Sequence, residues 1–204
     1  MGRTAVIGLT GPIGCGKTTV AGWLAEHGAR VVDADAVARE VTAPGTTGHE
    51  TVLSRFGPAV SGPDGTLDRS ALARIVFEDP AALRELEAIV HPLVRPHILA
   101  AIEAAAVADA PAVVIEAIKL IEGGLAELCD EVWLVSCGDA QRARIIGRGM
   151  PSDEADRRIA AQEGLEDRVI ASAHRSVVLV DTSDGLDDAR DAVDAEWRRI
   201  LRRT

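Results

Sequence analysis

The chain has 204 residues, of which 47% are hydrophobic, 26% charged and 2% aromatic, and its formal net charge is −10. This length favours one globular domain with an insertion, large enough to bury a core. An acidic chain with few aromatic rings argues against a general nucleic-acid binder, because that function needs a broad basic surface or stacking platforms. Cysteines at 15, 129 and 137 form no close pair, which favours a reducing compartment over a disulfide framework or a zinc site. The segment before the first glycine turn is too short for a signal peptide or membrane helix, so we expect a cytoplasmic protein without membrane association.

The first predicted elements form a β–α–β unit. Residues 4–9 are apolar without alternation, which is typical of a buried parallel strand. A glycine-rich loop follows, and then a helix is predicted over 17–27, where Gly28 is placed to end it. A second short strand is predicted over 30–32.

Residues 36–109 interrupt this alternation, because they contain helix signals and no good strand. Asp79 and Pro80 have the residue types of an N-cap and a first helical residue. His91 precedes Pro92, which disfavours helical geometry and predicts a helix break there. We interpret 36–109 as a helical insertion on the ligand-binding edge of a sheet.

The second half of the chain returns to strands separated by helices. Strands are predicted over 112–117, 131–136 and 176–181, and a polar helix over 186–203. An arginine-rich helical segment over 141–162 is interrupted near Pro151. Together these elements predict a three-layer α/β fold with about five parallel strands and helices on both faces.

Gly11 to Thr18 fit the phosphate-loop pattern G-x-x-x-x-G-K-[ST]. Consecutive backbone N–H groups from Gly14 onward would bind phosphate, Lys17 would reach the β- and γ-phosphates, and the Thr18 hydroxyl could bind Mg²⁺. Pro12 lies at the loop entrance, where a missing N–H group is tolerable. The alternative is a glycine-rich turn that binds no nucleotide.

Asp33 and Asp35 follow the second predicted strand. The carboxyl ends of parallel strands face the ligand crevice, so one carboxylate could accept a proton from an attacking hydroxyl and the other could orient Mg²⁺ through water. The alternative is an ordinary helix cap. The chain lacks the guanine-reading Asn-Lys-x-Asp of a GTPase, and residues 112–116 only partly imitate the acidic strand of a motor ATPase.

Five segments together resemble the dephospho-coenzyme A kinase family. They are GLTGPIGCGKTT, VVDADAVAREV, PGTTG, LEAIVHPLVRPHI and QRARIIGRGMPSDEADRRIAAQ. They occur in the order and spacing of that family over nearly the whole chain.

The resemblance implies a P-loop kinase that transfers the ATP γ-phosphate to the 3′-hydroxyl of the dephospho-CoA ribose, with Mg²⁺ as cofactor. It implies a nucleotide-binding core of 1–35 and 110–204, an acceptor-binding insertion of 36–109 and a lid of 141–162. Asp35 matches the proposed base, Asp33 and Arg39 lie on the substrate side, and Arg148 is a catalytic lid arginine. The ATP-binding stretch comprises Gly14, Cys15, Gly16, Lys17, Thr18 and Thr19. The partners implied are ATP and dephospho-CoA, with no nucleic acid and no obligate protein partner.

Four expectations concern individual side chains. Arg144 and Arg148 are four residues apart, so one helical face can present both to phosphate; the alternative is a solvated face in salt bridges with nearby acidic residues. His91 lies near the acceptor or is a structural histidine. Cys15 lies beside helix-terminal N–H groups that favour a thiolate, so a thiol reagent is expected to inhibit and ATP to protect. Lys119, which departs from the family pattern, either adds a cation near the acceptor phosphates or faces solvent.

Two rival functions remain at this point. One is another P-loop kinase that acts on a small molecule or a nucleoside monophosphate. The other is a nucleotide-binding module without transfer activity.

Overall fold

A sheet of five parallel strands forms the centre of the first of two compact units. The structure is a computed structural model and describes residues 3–172 and 176–202. The strand order is β2-β3-β1-β4-β5. The strands are β1 (Ala5–Thr10), β2 (Arg30–Asp33), β3 (Ala112–Glu116), β4 (Glu131–Ser136) and β5 (Ser176–Asp181). The predicted α/β class and the predicted parallel strands are therefore confirmed.

Helices occupy most of the remaining chain. They are α1 (Lys17–Glu26), α2 (Ala34–Val41), α3 (Thr47–Phe56), α4 (Arg69–Glu78), α5 (Pro80–Val107), α6 (Ala140–Gly147), α7 (Ser152–Ala160), α8 (Leu165–Ser172) and α9 (Leu186–Leu201). Gly28, with φ of 96°, directly follows the His27 cap of α1, as its position in the sequence predicts. Within residues 3–172 and 176–202, no helix is both long and apolar enough to cross a membrane.

The first unit comprises Met1–Asp33 and Ala101–Thr204. Its core joins the central strands to α1 and α9, with Ile7, Leu9, Trp133 and Trp197 almost fully buried. Burial of such side chains contributes about 1.5–3 kcal/mol each. The indole N–H of Trp133 donates to Glu131 at 2.7 Å, so its buried polar atom is satisfied.

The second unit, Ala34–Ala100, has its own small core. Val52, Val60, Leu72 and Val76 are buried there and pack together with neighbouring apolar side chains. Asp79 accepts a hydrogen bond from the N–H of Ala81 at 2.7 Å, at the first turn of α5. The predicted start of this helix at Asp79 and Pro80 is confirmed.

The helix break predicted at His91 is wrong, because α5 continues through both Pro92 and Pro96. Each internal proline removes a backbone hydrogen bond, at a cost of about 3 kcal/mol. Both prolines are exposed, whereas Val94 and Ile98 are buried. The packing energy of this apolar face outweighs the local preference of the residue that precedes each proline.

Candidate active site

The loop between β1 and α1 has the backbone of an anion-binding turn. Gly11, Gly14 and Gly16 have φ angles of 143°, 84° and 93°, which other residues rarely adopt. Gly16 is the N-cap of α1, and no side chain among the described residues caps this helix. The N–H groups of the first helical turn are therefore available to an anion such as phosphate.

Lys17 is 8% exposed and folds back over the loop. Its ammonium group donates to the carbonyl oxygens of Gly11 at 2.8 Å and Pro12 at 3.0 Å. These bonds compensate for burial of the positive charge. They also explain the proline, since the loop uses the carbonyl group of Pro12 and needs no N–H group at that position.

Cys15 forms a disulfide with Cys137, which directly follows β4. The prediction of an accessible thiolate at Cys15, and the preference against disulfides, are therefore wrong. The two residues are 122 positions apart in the sequence, but β1 and β4 are neighbours, so the segments that leave these strands lie side by side. Both residues are buried, at 1% and 0% exposure. The third cysteine, Cys129, is buried too, and its Sγ donates to the carbonyl of Leu125.

A hydroxyl and two carboxylates mark the edge of the sheet beside α1. The Thr18 hydroxyl donates to Glu116 at 2.9 Å. Glu116 ends β3 and pairs in register with Asp33, the last residue of β2. Sequence reasoning included Thr18 and Asp33 but set Glu116 aside as part of an incomplete motif. Oxygen ligands of this kind suit Mg²⁺; in the described part of the chain, no cluster of three or more His, Cys, Asp or Glu residues forms a metal site.

Thr182 connects the loop to the arginine-rich segment. Its buried hydroxyl lies 2.9 Å from the carbonyl oxygen of Cys15 and 3.0 Å from that of Ser136. Arg144 donates to this hydroxyl at 2.8 Å and to the carbonyl of the same threonine. Arg144 is therefore linked to the loop through Thr182. No local sequence pattern indicates this contact.

The other arginines of α6 and α7 bind nearby acidic residues. Arg142 donates to Asp156 at 2.7 Å, and exposed pairs join Arg157 to Asp153 and Arg158 to Glu154. The pKa of the Asp156 carboxyl group is lowered, mainly because Arg142 donates a hydrogen bond to it. Arg148 is exposed in the turn that follows α6. The alternative of a solvated ion-pair face therefore describes Arg142 and Arg157 in this structure.

The second unit contains the residues expected on the acceptor side. Asp35 lies in the first turn of α2, not at the end of a strand, because the chain passes directly from β2 into this helix. Arg39 lies one turn later, and both side chains are exposed. His91 lies within α5 and is half-buried.

Arg69 places a second cation beside Arg39. Its guanidinium donates to the Arg39 carbonyl and to the Thr42 hydroxyl, each at 3.1 Å. Burial lowers the pKa of Arg69, and the positive charge of Arg39 lowers it further. The two positive charges repel each other, so an anion that binds near both would be stabilised. Sequence reasoning missed Arg69 because 30 residues separate it from Arg39.

The family model for dephospho-CoA kinase matches residues 5–186. A dephospho-CoA kinase from Symbiobacterium thermophilum is 46% identical over 195 residues, covering 95% of this chain and 80% of that protein. The crystal structure of TT1252 from Thermus thermophilus has a TM-score of 0.76 and 34% identity, covering 97% of this chain and 98% of the other. A dephospho-CoA kinase from Campylobacter jejuni shares the fold, with a TM-score of 0.68 at 21% identity over 97% of each chain. The chain therefore belongs to the dephospho-CoA kinase family.

Proposed function

We propose that the protein transfers the γ-phosphoryl group of ATP to the 3′-hydroxyl of dephospho-CoA, the final step of coenzyme A synthesis. The observation that carries the proposal is the glycine loop with its buried Lys17, in a chain whose family is that of dephospho-CoA kinases. The reaction would take place in the cytoplasm, where ATP is available.

On the nucleotide side, the N–H groups from Gly14 to Thr19 bind the phosphates. Lys17 exchanges its contacts with loop carbonyls for contacts with the β- and γ-phosphates. Thr18 would hold Mg²⁺, and Glu116 and Asp33 are close enough in the sheet to orient its water ligands. When bound, the metal neutralises charge on the phosphates.

On the acceptor side, residues 36–109 bind dephospho-CoA. Asp35 accepts the proton of the 3′-hydroxyl as the ribose oxygen bonds to the γ-phosphorus and ADP leaves. Arg39 and Arg69 bind an anionic group of the acceptor, and His91 contributes a further polar contact. The support for the cation pair is the contact of the Arg69 guanidinium with the Arg39 backbone and the lowering of the Arg69 pKa by burial and by the charge of Arg39.

The segment 141–162 acts as the lid. Phosphoryl transfer of this kind depends on positioning and positive charge, so Arg148 is assigned to the transferring phosphoryl group. Arg144 contributes positive charge near the loop, where it is held by its hydrogen bond to Thr182. Closure excludes water, which would otherwise compete for the γ-phosphate.

The direct test supplies ATP, Mg²⁺ and dephospho-CoA and identifies the product by mass spectrometry. We expect coenzyme A and ADP in equal amounts, with far slower turnover of gluconate, shikimate or nucleoside monophosphates. A faster reaction with one of these acceptors would instead support another P-loop kinase. ATP binding without turnover of any acceptor would support a non-catalytic nucleotide-binding module.

Two variants test the assigned roles. Lys17→Ala should lower kcat, because the lysine stabilises the transition state as well as bound ATP. Asp35→Asn keeps the size of the side chain but removes the base, so it should lower kcat with little change in the KM for ATP. Asp153→Asn, on the exposed face of α7, is the matched control and should retain wild-type turnover. Wild-type turnover of Asp35→Asn would show that another group accepts the proton.

A further inference from the structure

The chain has only two glutamines, and both bind the backbone of the same loop residue. Gln141, in the first turn of α6, donates from Nε2 to the carbonyl oxygen of Ile13 at 3.0 Å. Gln162, two residues beyond α7, accepts at Oε1 from the N–H of Ile13 at 2.8 Å. All three residues are half-buried.

The orientation of each glutamine amide follows from its backbone partner. A carbonyl oxygen can only accept, so the group of Gln141 that faces Ile13 is its NH₂. A backbone N–H can only donate, so the group of Gln162 that faces Ile13 is its carbonyl oxygen. The two side chains therefore make complementary bonds and are not interchangeable.

The bond from Gln141 fixes the direction of a phosphate-binding group. The carbonyl of Ile13 and the N–H of Gly14 belong to one trans peptide plane, so they point in opposite directions. While Gln141 holds the carbonyl on the α6 side, the N–H of Gly14 points to the other side of the loop. Gly14 has φ of 84° and no side chain to restrict this plane, so the hydrogen bond supplies the restriction.

Helix α6 also packs directly against this turn. A Cβ atom at Gly14 would lie 2.6 Å from Cγ1 of Ile145. The same helix therefore contacts the loop through both a side-chain hydrogen bond and an apolar contact. These two contacts of α6 with the loop involve Gln141 and Ile145 and no arginine.

We propose that Gln141 and Gln162 are positioning residues that bracket the peptide groups of Ile13 and set the phosphate-binding conformation of the loop. Gln141 orients the first N–H donor, that of Gly14. Gln162 accepts a hydrogen bond from the N–H of Ile13 and so holds the peptide group between Pro12 and Ile13 in place. The inference rests on the proposed function in that the anion bound by the loop is the phosphate chain of ATP.

The same isosteric substitution distinguishes the two positions. In Gln162→Glu the carboxylate still accepts from the N–H of Ile13, whereas in Gln141→Glu it has no donor for the carbonyl and repels it. Both variants add one negative charge near the nucleotide, so their comparison isolates the hydrogen bond. We expect kcat/KM for ATP to be roughly 10- to 100-fold lower in Gln141→Glu than in Gln162→Glu. The dissociation constant of Mg²⁺–ADP, measured by calorimetry, should rank the two variants in the same order.

Three controls complete the experiment. Gln141→Leu removes the donor without adding charge, and it should also bind Mg²⁺–ADP more weakly than the wild type; it replaces Gln141→Glu if that variant does not fold. Arg157→Ala changes an exposed ion pair of α7 and should bind ADP as the wild type does. Equal ADP affinities in Gln141→Glu and Gln162→Glu, or wild-type affinity in Gln141→Leu, would overturn the proposal. Because ADP binding needs no acceptor, this result is independent of whether dephospho-CoA is the substrate.

Discussion

We expect the disulfide between Cys15 and Cys137 to contribute strongly to the stability of the fold, and this contribution can be measured. It joins residues 122 positions apart, and both are buried in the first unit. In the loop-closure description, a crosslink of this span removes about 5 kcal/mol of chain entropy from the unfolded state. This is an upper value, because a compact denatured state already restricts the chain.

The perturbation is reduction of the wild type, which changes no other atom of the protein. Unfolding is followed by circular dichroism with and without dithiothreitol. For a chain of this size, about 1 kcal/mol corresponds to roughly 2–4 °C in the midpoint, so reduction should lower the midpoint by up to about 10–20 °C. Cys137→Ala should unfold near the reduced wild type and should not respond to dithiothreitol.

Cys129→Ala is the matched control, since Cys129 is a buried cysteine outside the disulfide. Its midpoint should still fall when the protein is reduced. Alkylation of the wild type in denaturant should label one thiol per chain before reduction and three after it. Equal midpoints of oxidised and reduced wild type, with those thiol counts confirmed, would refute the argument that this crosslink stabilises the fold.

Three further predictions concern the loop, the second unit and the dependence of stability on pH. Gly14→Ala introduces a side chain at φ of 84°, at a cost of roughly 1–2 kcal/mol. ADP affinity, measured by calorimetry, should therefore fall about tenfold or more. The control is Gly147→Ala, where a Cβ meets open space, and it should retain wild-type affinity. Arg69→Ala should raise the KM for dephospho-CoA by roughly tenfold or more while the KM for ATP stays the same, and Arg74→Ala, exposed on the same helix, should change neither constant. Backbone and side-chain hydrogen bonds lower the pKa of Asp181 in the folded state. This carboxylate therefore stabilises the fold when the pH is above its unfolded pKa of about 3.9, and the contribution is lost as the pH falls through the lower pKa of the folded state. Asp181→Asn should therefore be less stable than the wild type at pH 7, and chemical denaturation should show the difference narrowing toward acid pH; a constant difference would contradict this.

The strands were predictable because each is a short apolar run bounded by polar or turn residues. The bounds of β4 and β5 agree with the predicted ranges, β2 and β3 differ by one residue at one end, and β1 is shifted by one residue. A buried parallel strand places apolar side chains on both faces, so its pattern is local and survives in the sequence. The anion loop was predictable for a related reason, since its glycines and Lys17 lie within a few residues of one another in the chain.

The parts of the candidate site that sequence reasoning missed are contacts between distant segments. Glu116, Cys137 and Thr182 approach the loop only because their strands lie near β1 in the sheet. No local pattern marks Cys137 or Thr182 as part of the site, and the incomplete motif that contains Glu116 does not link it to Thr18. The wrong prediction at His91 has the opposite origin, since a real local preference yielded to packing along α5.

The strand order explains why so many neighbours hold one loop. Because β1 lies between β3 and β4, the loop that leaves it has a strand end on each side. On the β3 side, Glu116 accepts a hydrogen bond from Thr18. On the β4 side, Cys137 is bonded covalently to Cys15 of the loop. Thr182, just beyond β5, adds a hydrogen bond to the same turn. A loop supported this way has little freedom to move its N–H groups, so phosphate binding needs little further ordering of the backbone.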